Sequence, residues 1–133
     1  MIDLSFDPDA DAVIFHITGQ GNLQEYRDAI AKLLTQPYFH MNLNTIWDLR
    51  EAVASDRTVE DLRLAASLSK RSAHLRGTTW KIAIVVEGDL GFGLARMFEV
   101  FADGAPYLLG IFRTMEEACV WIKSPLEEKS KKE

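Results

Sequence analysis

Two strand–loop–helix units in series are the feature of this sequence that most constrains its fold. Residues 44–50 predict a buried strand that ends in charge and is followed by a helix. Residues 80–87 predict a second buried strand, which leads through the glycine-containing loop 88–93 into another helix. Because ligands and partners of open α/β sheets bind at the carboxyl ends of the strands, the sequence predicts where a functional surface lies. It contains no catalytic set and no cofactor motif, so it predicts neither a catalytic residue nor a cofactor.

The other segments complete an alternation of strands and helices. Ile2, Leu4 and Phe6 alternate with polar residues, as in an edge strand, whereas residues 81–86 are apolar at nearly every position, as in a central strand covered on both faces. This order predicts a single α/β domain, β-β-α-β-α-β-α-β-α, with a mixed five-stranded sheet and four helices. The predicted strands are residues 2–6, 12–18, 45–49, 81–86 and 107–112, and the predicted helices are residues 23–35, 58–76, 90–102 and 114–123.

Composition limits the possible functions. A chain of 133 residues predicts one domain, here residues 1–123 followed by a charged tail at 124–133. Its net charge of −5 argues against binding to nucleic acid or to an anionic membrane surface. Cys119 is the only cysteine and the three histidines are scattered, so we expect neither a disulfide nor a metal site. The sequence has no signal-peptide pattern and no apolar run of membrane-spanning length, which favours a cytoplasmic location.

Five short motifs resemble one known family. They are Thr18 and Gly19 before the first helix, residues 36–39 after it, residues 47–51 on the third strand, residues 91–97 at the start of the third helix, and residues 112–118 near the end. With these motifs, and over nearly its whole length, the chain resembles the SpoIIAA-like branch of the STAS superfamily, particularly its small stand-alone bacterial STAS/SEC14-like members. The resemblance implies a SpoIIAA-like domain without enzymatic activity that acts in protein interaction or ligand sensing.

The resemblance also implies a possible phosphorylation site after the third strand. In the anti-sigma-factor antagonists a serine that follows an aspartate starts the next helix and is phosphorylated by a kinase partner. Asp48 matches the aspartate, but the serine motif is missing, and Ser55 stands further along in a different context. The next helix is predicted to be capped by Thr58, and the charges of Glu51 and Asp56 oppose an added phosphate. We therefore expect that Ser55 is not a phosphorylation switch.

The loop before the third helix has the position of a phosphate-binding loop. Gly88, Gly91 and Gly93 lie there, but no Lys-Ser/Thr pair follows and the dinucleotide pattern is incomplete. The glycines predict a tight turn with Asp89 capping the helix. The alternative is a weak anion or ligand site formed by backbone amides and Arg96.

Some apolar residues lie off the predicted core faces of their helices. Phe92 points away from the apolar stripe of the third helix, so it either packs under a loop or belongs to a contact surface. The second helix carries two apolar stripes, and the one formed by Leu64, Leu68 and Leu75 either packs on a neighbouring helix or faces a partner. The other stripe, predicted to lie on the sheet, consists of Val59, Leu62, Ala66 and Ala73.

These observations favour a non-enzymatic protein-interaction module. The alternative is a SEC14-like carrier that holds an apolar small molecule or lipid between the sheet and the second and third helices. The surplus apolar surface also predicts a homodimer, and Asp48 and Arg50 either pair locally or bind a partner. The candidate partner or ligand surface comprises Asp48, Arg50, Ser55, Leu64, Leu68, Leu75, Gly91, Phe92 and Arg96.

Overall fold

A computed structural model describes residues 1–53 and 58–126 of the chain. A five-stranded mixed sheet runs through it in the order β1-β2-β3-β4-β5. The first two strands pair in antiparallel fashion, and the remaining neighbours are parallel. This confirms the predicted α/β order, with the first strand at an edge. The strands are β1 (Ile2–Asp7), β2 (Ala12–Gly19), β3 (Asn44–Ala52), β4 (Lys81–Val85) and β5 (Leu108–Phe112).

In the described part of the chain, four α-helices and one 3₁₀ turn connect and follow these strands. The helices are α1 (Leu23–Leu34), α2 (Val59–Arg71), α3 (Gly88–Phe101) and α4 (Met115–Lys123), and the 3₁₀ turn is Ala73–Leu75. Within the described ranges, none of the helices is both long and apolar enough to cross a membrane.

Local capping signals explain where three of the helices begin. The side chains of Asn22, Thr58 and Thr114 each accept a hydrogen bond from a backbone amide in the first turn of α1, α2 and α4. The prediction that Asp89 caps α3 is wrong. The chain turns at Gly88, whose φ is +79°, so α3 begins before Asp89 and has Glu87 at its N-cap without a side-chain hydrogen bond.

The predicted length of α2 is also wrong, because α2 ends at Arg71. The Ser72 hydroxyl donates to the Leu68 carbonyl at 2.8 Å, and the backbone then tightens into the 3₁₀ turn. Gly77 follows with φ +153°, and a Cβ at this position would lie 2.1 Å from Oδ1 of Asn42. The connection to β4 is therefore closely packed against the loop before β3.

The two faces of the sheet carry different layers. The three-helix face packs Phe15, Trp47 and Ile84 of the sheet against α1, α2 and α3. The α4 face packs Ile46 and Val85, with neighbouring apolar residues, against α4 alone. One face is therefore covered by a single closely packed helix, and the other by three helices.

Helix α2 lies further from the sheet than the prediction of an apolar stripe against the strands implies. Its backbone approaches α3, and less closely α1, more than it approaches any strand. Ala66 and Ala73 are buried as predicted, but Val59 is largely exposed. This arrangement leaves space between α2 and the strands.

Candidate ligand-binding pocket

A pocket of about 330 Å³ lies between the three-helix face of the sheet and helices α1, α2 and α3. Its floor is formed by alternate residues of β3 and β4, among them Trp47, Ile82 and Ile84. Leu62 and Ala65 of α2 lie among the residues of its wall. The pocket is partly enclosed and mostly apolar, and its volume is at the lower end of the range for small-molecule sites.

The mouth of the pocket lies at the carboxyl ends of β2, β3 and β4. The exposed lining residues are concentrated there, and several of them are polar. They include Asn22 from the loop before α1, Arg50 from the end of β3, Asp61 from the first turn of α2 and Glu87 before α3. The mouth is thus at the edge of the sheet where the sequence predicts a functional surface.

A charged cluster lies beside this mouth. Nε and Nη2 of Arg50 donate to the two carboxylate oxygens of Asp48 at 2.9 and 3.0 Å. The Arg50 guanidinium holds the pKa of the Asp48 carboxyl below its usual range. Because Asp48 is buried, this bidentate pair fixes Arg50 in place at the strand end.

His16 of β2 joins the same cluster. Its Nε2 lies 2.7 Å from a Glu51 oxygen and its Nδ1 lies 3.2 Å from Asp48 Oδ2. Contact with Glu51 in the first place, and with Asp48, raises the pKa of His16. The register between β2 and β3 shifts between His16 and Thr18, which brings Glu51 opposite Thr18. The cluster is exposed to solvent on one side and lies outside the apolar part of the pocket.

The inner end of the pocket contains hydroxyl groups. Tyr26 of α1 and Ser69 of α2 both line the pocket, and the Ser69 hydroxyl lies 2.6 Å from the Tyr107 hydroxyl. The Tyr26 ring also packs against Trp47 of the floor, with 5.2 Å between the ring centroids. Burial raises the pKa of both Tyr26 and Tyr107, so their hydroxyls stay protonated and can donate.

A buried arginine lies near the two tyrosines, although it is not among the residues that line the pocket. Arg76 is only 5% exposed, and its guanidinium lies over the Trp80 ring, 5.2 Å from the centroid. Its Nε and Nη2 are buried and have no hydrogen-bond partner among residues 1–53 and 58–126. Burial lowers the pKa of Arg76 to about 10, and the electrostatic influence of Tyr26 and Tyr107 opposes this. The side chain is therefore charged at neutral pH.

Comparisons with known proteins show a similarity in fold and none in sequence family. The chain matches no protein-family model, and no curated protein is similar to it in sequence. Among solved structures it is similar to a protein from Shewanella loihica PV-4, described as an uncharacterized member of the DUF3478 family with a SpoIIAA-like fold. The TM-score is 0.61 with 15% sequence identity, and the alignment covers 92% of each chain.

The fold is SpoIIAA-like. This confirms the fold implied by the sequence motifs. At 15% identity the similarity extends to the fold alone, and the function of a SpoIIAA-like domain depends on its sites.

On this SpoIIAA-like frame, the nine residues predicted from the sequence do not form one surface. Arg50, Leu64 and Gly91 line the pocket, and Asp48 accepts a hydrogen bond from Arg50. Ser55 lies outside the described residues. The remaining four are Leu68, Leu75, Phe92 and Arg96, none of which lines the pocket.

The structure places Phe92 between the core and two arginine side chains. It is half-buried against the core of the three-helix face. Arg113 and Arg96 cover its ring, at 4.3 and 5.4 Å from the centroid. The leucine stripe is also divided, because Leu64 and Leu75 are 44% and 46% exposed whereas Leu68 is half-buried.

Sequence reasoning misses the polar inner end of the pocket. Ser69 carries a usable signal, because it is a polar residue in helical register with the apolar positions Leu62, Ala66 and Ala73. The burial of Arg76 has no such signal, because it depends on how the connection between α2 and β4 folds back under α2.

Proposed function

We propose that this protein binds a small, largely apolar molecule in the pocket between the sheet and helices α1, α2 and α3. The observation that carries the proposal is the pocket itself, a partly enclosed space of about 330 Å³ lined mainly by apolar side chains. Concave apolar sites with a few polar groups are the usual form of small-molecule sites. Each methylene group that moves from water into such a site contributes about 0.8 kcal/mol.

The position of the pocket supports the proposal independently of its volume. It opens at the carboxyl ends of parallel strands, where loops and helix N-termini supply polar groups to a ligand. Its walls come from the sheet and from the second and third helices, as expected for the carrier alternative. The proposal requires no catalytic group.

A binding experiment with a neutral fluorescent probe tests the proposed function. Titration of the wild-type protein with N-phenyl-1-naphthylamine is expected to give saturable fluorescence enhancement. Ala65→Phe, which places a ring in the wall of the pocket, is expected to weaken binding about tenfold or more by filling it.

Ala31→Phe is the matched control, because Ala31 is an exposed residue on α1 that does not line the pocket. This variant is expected to bind the probe like the wild type. Circular dichroism and thermal unfolding establish that both variants fold. The absence of saturable binding to the wild type, or equal loss in both variants, would contradict the proposal.

A second candidate function is contact with another protein or a second copy of this chain. The observation that favours it is that the large apolar side chains of Leu64 and Leu75 are each exposed to solvent. A homodimer is expected to sediment as a dimer at micromolar concentration, and Leu75→Glu is expected to shift it toward the monomer. A wild type that stays monomeric at high micromolar concentration excludes the homodimer.

A further inference from the structure

Two buried cations lie near the start of β4, and their surroundings differ. The ammonium group of Lys81 donates to the Trp121 carbonyl, the Ser124 carbonyl and the Ser124 hydroxyl at the end of α4. The guanidinium of Arg76 lies over Trp80 and has no acceptor for Nε or Nη2. A buried charge is costly unless it is paired and hydrogen-bonded. Among the described residues, Nε and Nη2 of Arg76 therefore lack the hydrogen-bond acceptors that Lys81 has, and an anionic group would supply them.

The inner end of the pocket is where such an anion would meet Arg76. Tyr26 and Ser69 line the pocket, and Ser69 is hydrogen-bonded to Tyr107. Arg76 does not itself line the pocket, but its guanidinium lies close enough to Tyr26 and Tyr107 to interact with them electrostatically. An anion at the inner wall could accept a hydrogen bond from the Tyr26 hydroxyl, whereas the Ser69 hydroxyl already donates to the Ala66 carbonyl at 2.9 Å. The adjacent guanidinium would neutralise it through a medium of low dielectric.

The charges at the mouth oppose an anion there. Asp61 and Glu87 line this end, and the guanidinium of Arg50 is already engaged by both oxygens of Asp48. An amphiphile with a negative group is therefore expected to place that group inward and its chain along the apolar walls. The volume of about 330 Å³ favours one aliphatic chain over two.

We infer that the ligand of this pocket is a single-chain carboxylic acid, with its carboxylate at the inner end near Tyr26, Ser69 and Arg76 and its chain extending toward the mouth. This inference rests on the proposed function and adds the chemical class of the ligand. The chain binds by burial of methylene groups, and the carboxylate supplies the counter-charge that Arg76 lacks.

Calorimetric titrations of the full-length protein with decanoate and decanol test the inference. The two probes share a chain length and differ in charge. We expect the wild type to bind decanoate about tenfold or more tightly than decanol. Arg76→Met should abolish this preference and leave decanol binding nearly unchanged, whereas Arg76→Lys should retain part of it. Arg27→Met, at an exposed position of α1, is the control and should behave like the wild type.

The outcomes separate the inference from the function on which it rests. Equal binding of decanoate and decanol by the wild type would overturn the inference and leave the proposed function intact. Binding of neither probe would contradict both. A preference for decanoate that survives Arg76→Met would show that another group recognises the carboxylate, which also overturns the inference.

A measurement on the wild type covers the case in which Arg76→Met fails to fold. Decanoate labelled with ¹³C at its carboxyl group reports the carboxyl pKa of the bound ligand through its NMR shift. Next to a guanidinium this pKa is expected to fall below that of free decanoate, because an opposite charge favours the ionised form. A bound pKa above the free value would mean burial away from Arg76 and would overturn the inference.

Discussion

The two faces of the sheet differ in how helices cover them and in how each accommodates a buried cation. On the α4 face one helix lies directly on the strands, and the buried ammonium of Lys81 is satisfied by the last carbonyls of that helix. On the three-helix face α2 lies away from the strands, a pocket remains beneath it, and Nε and Nη2 of the buried Arg76 lack acceptors. The buried cation on the α4 face thus has its hydrogen-bond acceptors within the protein. The three-helix face has a pocket and a buried guanidinium with two unsatisfied nitrogens.

This difference shows that burial of a charged residue does not by itself indicate whether the residue is structural or binds a ligand. Lys81 is 1% exposed and Arg76 is 5% exposed, so their burial alone does not distinguish them. Their acceptors do. A lysine at a helix C-terminus satisfies orphan carbonyls and complements the helix dipole, which is a structural role. An arginine without acceptors beside a pocket is a candidate ligand-binding group.

The largest effect that would test this comparison is expected from paired methionine substitutions. Lys81→Met should destabilise the fold by about 3 kcal/mol, because it leaves the acceptors at the end of α4 unsatisfied. Arg76→Met should change stability by less than about 1 kcal/mol, since Nε and Nη2 of Arg76 have no hydrogen-bond partner among the described residues to lose. Urea unfolding of the two variants measures both values.

The same two free energies of unfolding could contradict the proposed difference between Arg76 and Lys81. If Arg76→Met costs as much as Lys81→Met, then Arg76 stabilises the fold through contacts equivalent to those of Lys81. In that case the two faces do not differ in the way described.

A smaller effect is expected from adding one methyl group to each face. Gly110 of β5 has the Phe112 ring within 2.8 Å and the Trp121 ring within 3.1 Å of the position of an added Cβ, so Gly110→Ala should destabilise by about 1–2 kcal/mol. Gly91 of α3 lines the pocket, and an added Cβ would lie 3.5 Å from Val86, an ordinary contact. Gly91→Ala should therefore stabilise by about 0.5–1 kcal/mol through helix propensity.

Thermal unfolding of the two alanine variants gives these values under one set of conditions. Opposite signs support a tightly packed α4 face and an open three-helix face. Destabilisation by Gly91→Ala would mean that α3 closes on the sheet more tightly than the described packing allows.

The smallest effect concerns His16, at the part of the sheet that α4 leaves uncovered. Because the pKa of His16 is raised in the folded state, its ion pairs contribute stability that is fully present below the unfolded value of about 6.5. That stability is lost as pH rises through the folded-state pKa. His16→Gln should therefore destabilise the protein more at about pH 5.5 than at about pH 8.5.

Urea midpoints of the wild type and His16→Gln at both pH values check this prediction. Glu51→Gln provides the control, since Glu51 is the largest cause of the raised His16 pKa and its replacement should reduce the pH dependence. A cost of His16→Gln that does not change with pH would exclude an energetic role for these ion pairs.

The parts of the fold that could be predicted depend on short-range signals. Asn22, Thr58 and Thr114 are recognisable caps because the bonds they form span three residues. The run at Lys81–Val85 identifies a strand buried on both faces, although its lysine is buried by a helix more than thirty residues away in sequence. The order of elements therefore follows from the sequence, while the partner of Lys81 does not.

The site could be predicted only in outline. The loops at the carboxyl ends of the strands indicate the mouth, and the structure places Arg50 and Gly91 among the lining residues. The inner end depends on the distance between α2 and the sheet and on the turn that buries Arg76. Both are set by the packing of α2 on its neighbouring helices, which leaves no periodic pattern in the sequence.

The most direct test of the central claim is an NMR titration of ¹⁵N-labelled protein with decanoate. Because the pocket and the buried Arg76 lie on the three-helix face, the amide signals of Tyr26, Ser69 and Ala95 should shift in a saturable way. Those of Ala118 and Ile122 on α4 should stay in place. Shifts confined to the α4 face or to exposed residues such as Leu75, or no saturable shift at all, would contradict the account.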